Sequence, residues 1–173
     1  MSQSNCAGAC PTFDGKPCLP AWRLLVRASS ASFRVVHWSV QRDHIHLVIE
    51  ANDARALARG MESFDGRLAK LLNGLARRRG AALRERYHAR QLKTPREAFV
   101  ALRYVLTNAH HHGLLKAGID PMSSGPSFNG WLDAPPERLP TDAASADPTT
   151  WLLRVGWRRY GPVPVPHCQQ RPQ

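Results

Sequence analysis

The chain has 173 residues, 43% of them hydrophobic and 21% charged, the ordinary composition of a globular protein of one domain with appended segments. No run approaches the roughly 18 consecutive apolar residues of a membrane span, and residues 1 to 18 lack a basic segment followed by an apolar one. Neither an anchor nor a secretory leader is expected, and the cytoplasm is the expected compartment. With 24 Lys and Arg against 13 Asp and Glu, the net charge is +11, which favours polyanionic partners, nucleic acid first and an anionic membrane surface second.

Three regions follow one another: an irregular N-terminus (1–32), a patterned region (33–115) and a Pro-rich extension (116–173). The first holds Cys6, Cys10 and Cys18, and Cys168 stands alone in the tail. No C-x-x-C spacing occurs, so reduced thiols are expected rather than a zinc site. Trp22-Arg23-Leu24-Leu25-Val26-Arg27 is apolar enough for a short helix. Phe33-Arg34-Val35-Val36-His37-Trp38-Ser39-Val40 is rich in β-branched and aromatic residues and predicts a strand. After the turn Gln41-Arg42-Asp43, His44-Ile45-His46-Leu47-Val48-Ile49-Glu50 predicts a second, antiparallel strand. Alternation places Ile45, Leu47 and Ile49 on one face and His44, His46, Val48 and Glu50 on the other.

A long helix is predicted from about Asp53 to Arg79, with Leu57, Met61, Phe64, Leu68, Leu71 and Leu75 in one stripe and Gly80 as terminator. A basic linker joins it to a second helix. Thr94-Pro95-Arg96-Glu97 is a capping box with proline in the first turn, and the helix is expected to reach His112, with Gly113 ending it. At roughly 100° per residue, Phe99, Leu102, Leu106 and Ala109 form its buried stripe. Tyr104, Asn108 and His111 fall on the opposite, polar side. In the extension, prolines such as Pro135-Pro136 favour loops. The island Trp151-Leu152-Leu153-Arg154-Val155-Gly156-Trp157 is apolar enough to dock on the core.

Two histidines at i and i+2 on a strand point the same way and can share one metal; the plainer reading is a pair of surface histidines. Tyr104 could be a packing residue with its hydroxyl in water. As a nucleophile it would need help, because a phenol titrates near pH ~10. A nearby metal would polarise a target phosphate, and Asn108, one turn on, could complete the metal site or orient that phosphate. Basic residues concentrate between Arg55 and Arg103. Arg67, Arg77, Arg78, Arg79, Arg86 and Arg90 are the expected phosphate-backbone contacts, set against the reading of a solvated helix face. Trp38, Tyr87, Trp131, Trp151 and Trp157 could stack on unpaired bases, but core packing is expected for Trp38 and Trp151.

His44-Ile45-His46 on its strand, followed by Tyr104-Val105-Leu106-Thr107-Asn108 on a helix ending in Gly113-Leu114, resembles the single-tyrosine HUH transposases in their REP-associated branch. Arg86-Tyr87-His88, Asp120-Pro121-Met122-Ser123-Ser124-Gly125 and the Trp151-to-Trp157 island extend the resemblance over about residues 33 to 160. It implies a ferredoxin-like α+β domain, an antiparallel sheet with helices on one face. It also implies Mg2+ or Mn2+ on His44, His46 and Asn108, with His111 as the alternative third ligand. Tyr104 would attack single-stranded DNA guided by hairpins, leaving a 5′-phosphotyrosine link, in a monomer or a homodimer. The chain departs from the pattern at Ala109, where the motif has proline, and at His110-His111-His112, where basic residues are usual. No strand pattern precedes Phe33, so the expected scaffold lacks its first strand, as a shortened copy would. The alternative reading is an inactive or domesticated hairpin-binding protein.

Overall fold

The computed structural model describes residues 2–5, 12–13, 16–17, 29–41, 44–77, 79–83, 87–133 and 145–167, those before residue 29 by backbone path alone. The apolar stretch 22–27, the four cysteines, Arg42, Asp43, Arg78, Arg86 and Pro135-Pro136 lie outside them. The architecture is α+β. Its strands are β1 (Ser2–Asn5), β2 (Thr12–Phe13), β3 (Lys16–Pro17), β4 (Phe33–Val40), β5 (His44–Ala51) and β6 (His88–Ala89). Its helices are α1 (Ala54–Leu75), α2 (Pro95–Leu106), α3 (Asn108–His111) and α4 (Trp151–Arg154), with 3-10 turns at Gly125–Ser127 and Gly156–Tyr160.

The predicted hairpin is present: β4 and β5 pair antiparallel from Phe33↔Ala51 to Val40↔Ile45. A bulge between Val35 and His37 interrupts the register. Because one extra residue shifts the two-residue period, Phe33 and Val35 before it and Trp38 and Val40 after it all reach the same core cluster. Val36 belongs to the other cluster.

The expectation of a missing first strand is corrected. Ser2–Asn5 pairs antiparallel with β5, Asn5 opposite His44 and Gln3 opposite His46, and with β6 on its far side. The sheet order is β4-β5-β1-β6, so the strand bearing both histidines is internal. Ser2-Gln3-Ser4-Asn5 has neither alternation nor β-branched residues. Strand pairing is made by backbone N–H and C=O groups, which every such residue carries, so no side-chain pattern marks it. The basic linker likewise holds β6. The outer edge of β4 is covered by backbone bonds from Val40 N to Met122 O (2.8 Å), Ser124 N to Trp38 O (2.9 Å) and Ala146 N to Val35 O (2.9 Å), which shields its open donors and acceptors.

Helices lie on both faces of the sheet, which corrects the one-face expectation. On one side α1 presents Met61, Phe64 and Leu68 to Phe33, Val35, Trp38, Val40, Ile45 and Leu47. On the other, α2 supplies Ala98, Leu102, Val105 and Leu106 to Val36 and Val48. The Pro-rich extension completes that second layer with Phe128, Trp131, Leu153, Trp157, Val163 and Val165. Trp38 is core, as expected, but Trp151 is 52% exposed, with the Arg159 guanidinium 5.0 Å from its ring.

Local signals set the helix starts. Asp53 caps α1 through Ala56 N (2.6 Å), and Thr94 and Glu97 form the predicted capping box on α2. The ends differ from expectation. Helix α1 stops at Leu75 rather than Arg79, where the apolar stripe runs out and another turn would bury nothing; Arg77 turns to φ 47°. Helix α2 stops at Leu106 rather than continuing to His112. The Thr107 hydroxyl donates back to Arg103 O (2.7 Å), a bond that competes with the helical ladder, and the chain restarts as α3. Gly113, at φ 67°, closes that turn. Among the described residues no helix is long and apolar enough to cross a membrane.

Candidate functional site

Alternation along β5 sends His44, His46 and Glu50 to the α2 face, as the sequence predicts. There the His46 and Tyr104 rings meet edge to face, centroids 5.0 Å apart. His44 touches His46 at 4.7 Å and His112 at 5.1 Å, and Tyr104 stacks on His111 at 5.7 Å. One strand and the end of one helix therefore bring five rings together. Asn108 stands in the chain between the residues that make the Tyr104–His46 and His112–His44 contacts.

Asn108 is buried and Tyr104 only partly exposed, which corrects the helical-wheel expectation of one polar side for both. Asn108 is 0% exposed and Tyr104 packs against the second core cluster. The wheel fails for two reasons. Helix α2 is covered by the sheet and also by the 3-10 segment Gly156–Tyr160, so it buries more than one stripe. The break at Thr107 also turns Asn108 inward relative to a continuous helix.

Burial without partners marks these residues out. His46 is 1% exposed, and neither of its ring nitrogens has a hydrogen-bond partner among the described residues. Neither side-chain atom of Asn108 has one. A buried polar group left unpaired costs about 1–3 kcal/mol, and such groups are rare enough that each calls for an ordered water, an ion or a catalytic role. Burial, and then the neighbouring His44 and His112, push His46 down to about 4, so the ring is neutral at neutral pH. Among the described residues no group of three His, Cys, Asp or Glu would hold a metal by itself. His46 and Asn108 each leave unpaired side-chain atoms, imidazole nitrogens and a carboxamide oxygen, of the chemical kinds that bind divalent cations. His111, the alternative third ligand, is exposed, and its Nε2 lies 3.3 Å from Thr107 Oγ1.

Polar groups that the sequence did not single out surround this set. Ser39 lies opposite His46 in the register and accepts from Gln41 Nε2 at 2.6 Å. Asp120 is buried, and its Oδ1 accepts from Met122 N at 2.8 Å. Burial raises its pKa, against the Met122 N–H and the charge of His110, which lower it. His112 appeared only as part of a histidine run. Its contact with His44 joins residues 68 positions apart, which the sequence pattern did not reveal.

Glu50 shares the histidine face but serves the scaffold. Its carboxylate accepts from Thr149 N (2.7 Å), Thr149 Oγ1 (2.8 Å), Thr150 N (2.9 Å) and Thr150 Oγ1 (2.6 Å). Burial would raise its pKa, but these four bonds outweigh burial and hold it below the usual carboxylate range. It ties the extension to the sheet just where α4 begins.

The expected phosphate contacts divide. Arg67 is on α1, across the sheet from Tyr104, with Nε donating to Ser63 O at 3.2 Å. Arg77 and Arg79 are exposed beyond the end of α1. Arg90 alone among the described members borders Tyr104, in a groove of about 410 Å³ that both residues line. No protein-family model matches the chain, and neither a curated protein nor a solved structure matches it.

Proposed function

We propose that the protein is a metal-dependent transposase or nickase that cuts and rejoins single-stranded DNA through Tyr104. The observation that carries the reading is the contact of the Tyr104 ring with His46, a buried imidazole left, like Asn108, without partners. The net charge of +11 supports a polyanionic substrate. In this reading the α+β scaffold is a ferredoxin-like variant, and hairpins in the DNA present the strand.

His44, His46 and Asn108 would hold Mg2+ or Mn2+, which when bound supplies Lewis acidity toward the phosphate. The half-buried Tyr104 ring, fixed between His46 and His111, offers its phenolic oxygen to the phosphorus. The bond from that oxygen to phosphorus forms as the bond from phosphorus to the 3′ oxygen breaks. The phenolic proton is given up and the leaving 3′ oxygen takes one, giving a 5′-phosphotyrosine and a free 3′-hydroxyl. Rejoining is the reverse, with the 3′-hydroxyl as attacking group. Holding the phenol in place is the contribution expected of the packing, because a positioned nucleophile avoids the entropy of a bimolecular encounter.

The test is a denaturing-gel assay for a covalent adduct with single-stranded hairpin DNA from the chain's own genomic flanks. Wild type should form it with Mn2+ and not with EDTA, and Tyr104→Phe should form none. An adduct that persists in Tyr104→Phe removes Tyr104 as nucleophile. Salt-sensitive binding indifferent to EDTA, with no adduct from wild type, would favour a hairpin-binding protein instead.

A further inference from the structure

Tyr104 lines an open groove that runs back along α2 toward its N-terminus, and none of the clustered histidines lines it. Its floor is apolar, built from Leu92, Val100 and Ala101, and its rim carries Arg90, Arg96 and Glu97. The volume of about 410 Å³ lies within the roughly 300–1,000 Å³ usual for small-ligand sites. Val100 is 51% exposed, an apolar side chain on the outer face of a helix that has ample polar surface.

The charges at the rim are unequal. The Glu97 carboxylate accepts from Lys93 N (2.8 Å), Thr94 N (3.1 Å) and Arg90 Nη2 (2.9 Å). Its negative charge is offset by the Arg90 guanidinium in an ion pair of 2.9 Å, so the pair adds little net charge to the rim. Arg90 is held by that same pair. Arg96, by contrast, makes no hydrogen bond or ion pair among the described residues and is exposed. It stands eight positions before Tyr104 on one helix, or about 12 Å along the axis. A phosphate at Tyr104 would leave Arg96 out of reach of that same phosphate, but well placed for another in the same strand.

The geometry points to this groove as the seat of an unpaired nucleotide of the substrate strand, its base against Val100, Ala101 and Leu92 and a neighbouring phosphate on Arg96. The inference rests on the proposed single-stranded DNA reading and names where the strand runs. An apolar floor accepts any base, so the groove would grip without reading sequence, and an exposed guanidinium gives a salt-dependent hold on the backbone. Arg96, which the sequence placed only in a capping box, thereby replaces Arg67 as the arginine that serves the strand.

The experiment is fluorescence anisotropy of the full chain with a labelled oligothymidylate and with its all-abasic counterpart, in EDTA, over a range of salt. Wild type should bind the abasic strand several-fold more weakly than oligothymidylate. Val100→Asp should erase that difference, while Arg96→Ala should weaken both probes and reduce the slope of log affinity against log salt by about 1. Val100 and Arg96 point outward, so unchanged melting temperatures are expected, and Val100→Thr offers a milder variant that should give an intermediate loss. Equal binding of the two probes by wild type, or variants that leave affinity and salt slope untouched, would overturn the assignment. If that happens while wild type still forms the Tyr104 adduct, the groove fails and the proposed chemistry stands. If no adduct forms, that chemistry fails whatever the anisotropy shows.

Discussion

The two faces of the sheet are built from the same two strands and could hardly differ more. Toward α1, Phe33, Val35, Trp38, Val40, Ile45, Leu47, Met61, Phe64 and Leu68 form one buried hydrophobic cluster. Toward α2, apolar residues share the interior with Ser39, His46, Glu50 and Asn108, all buried. The period of two along β5 makes this division, since every step that sends a Leu or Ile one way sends a His, Val or Glu the other. One face can therefore carry the stability while the other tolerates unpaired polar groups that a ligand would complete.

The strongest way to break the comparison is to attack the dry face. Phe64→Ala should cost about 3–5 kcal/mol through lost burial and a cavity, a large part of the roughly 5–15 kcal/mol of a typical domain. Urea unfolding would show it. A loss below about 1 kcal/mol would mean that face does not hold the fold.

On the wet face the expected sign reverses. His46→Leu removes a buried polar group that has no partner, so stability without metal should be unchanged or slightly raised. On the proposed metal site, added Mn2+ should stabilise wild type by about 2.7 kcal/mol at a hundred times the dissociation constant, and that gain should vanish in the variant. Asn108→Leu should behave likewise. Thermal melts with and without Mn2+ test this, and a marked loss of stability in the metal-free variant would make His46 a structural residue.

The smallest effect concerns the scaffold within the wet face. Glu50→Gln weakens charge-assisted bonds to Thr149 and Thr150 and should cost about 1–3 kcal/mol. Because the folded pKa of Glu50 is lowered, its contribution is present above the ordinary carboxylate pKa of about 4.3 and is lost as pH falls through the folded value. Wild type should thus lose stability on acidification more steeply than Glu50→Gln, as denaturant midpoints between pH 6 and pH 3 would show.

Much of this was readable before any coordinates. The hairpin, the face of each β5 residue, the stripe on α1 and the box at Thr94 and Glu97 all depend on neighbours in the chain. Local patterns of polarity and backbone capping encode them directly. Other features were hidden for particular reasons. The bulge at Val36 has no residue signature, and the break at Thr107 comes from a side-chain bond back to Arg103. The segment Ser2–Asn5 pairs through backbone groups that carry no side-chain pattern.

By itself, then, the sequence determined that His44 and His46 share a face and that Tyr104 and Asn108 stand one turn apart. Spacing along a single strand or helix is fixed by local geometry. Only the tertiary structure decided that His46 meets Tyr104, that Asn108 is buried rather than solvated, and that Arg67 lies across the sheet while Arg96 lines the same groove as the tyrosine. Those facts depend on which layer each helix joins. That choice is made by the summed burial of distant segments, including the Pro-rich extension that closes over α2, and no window of the sequence contains it.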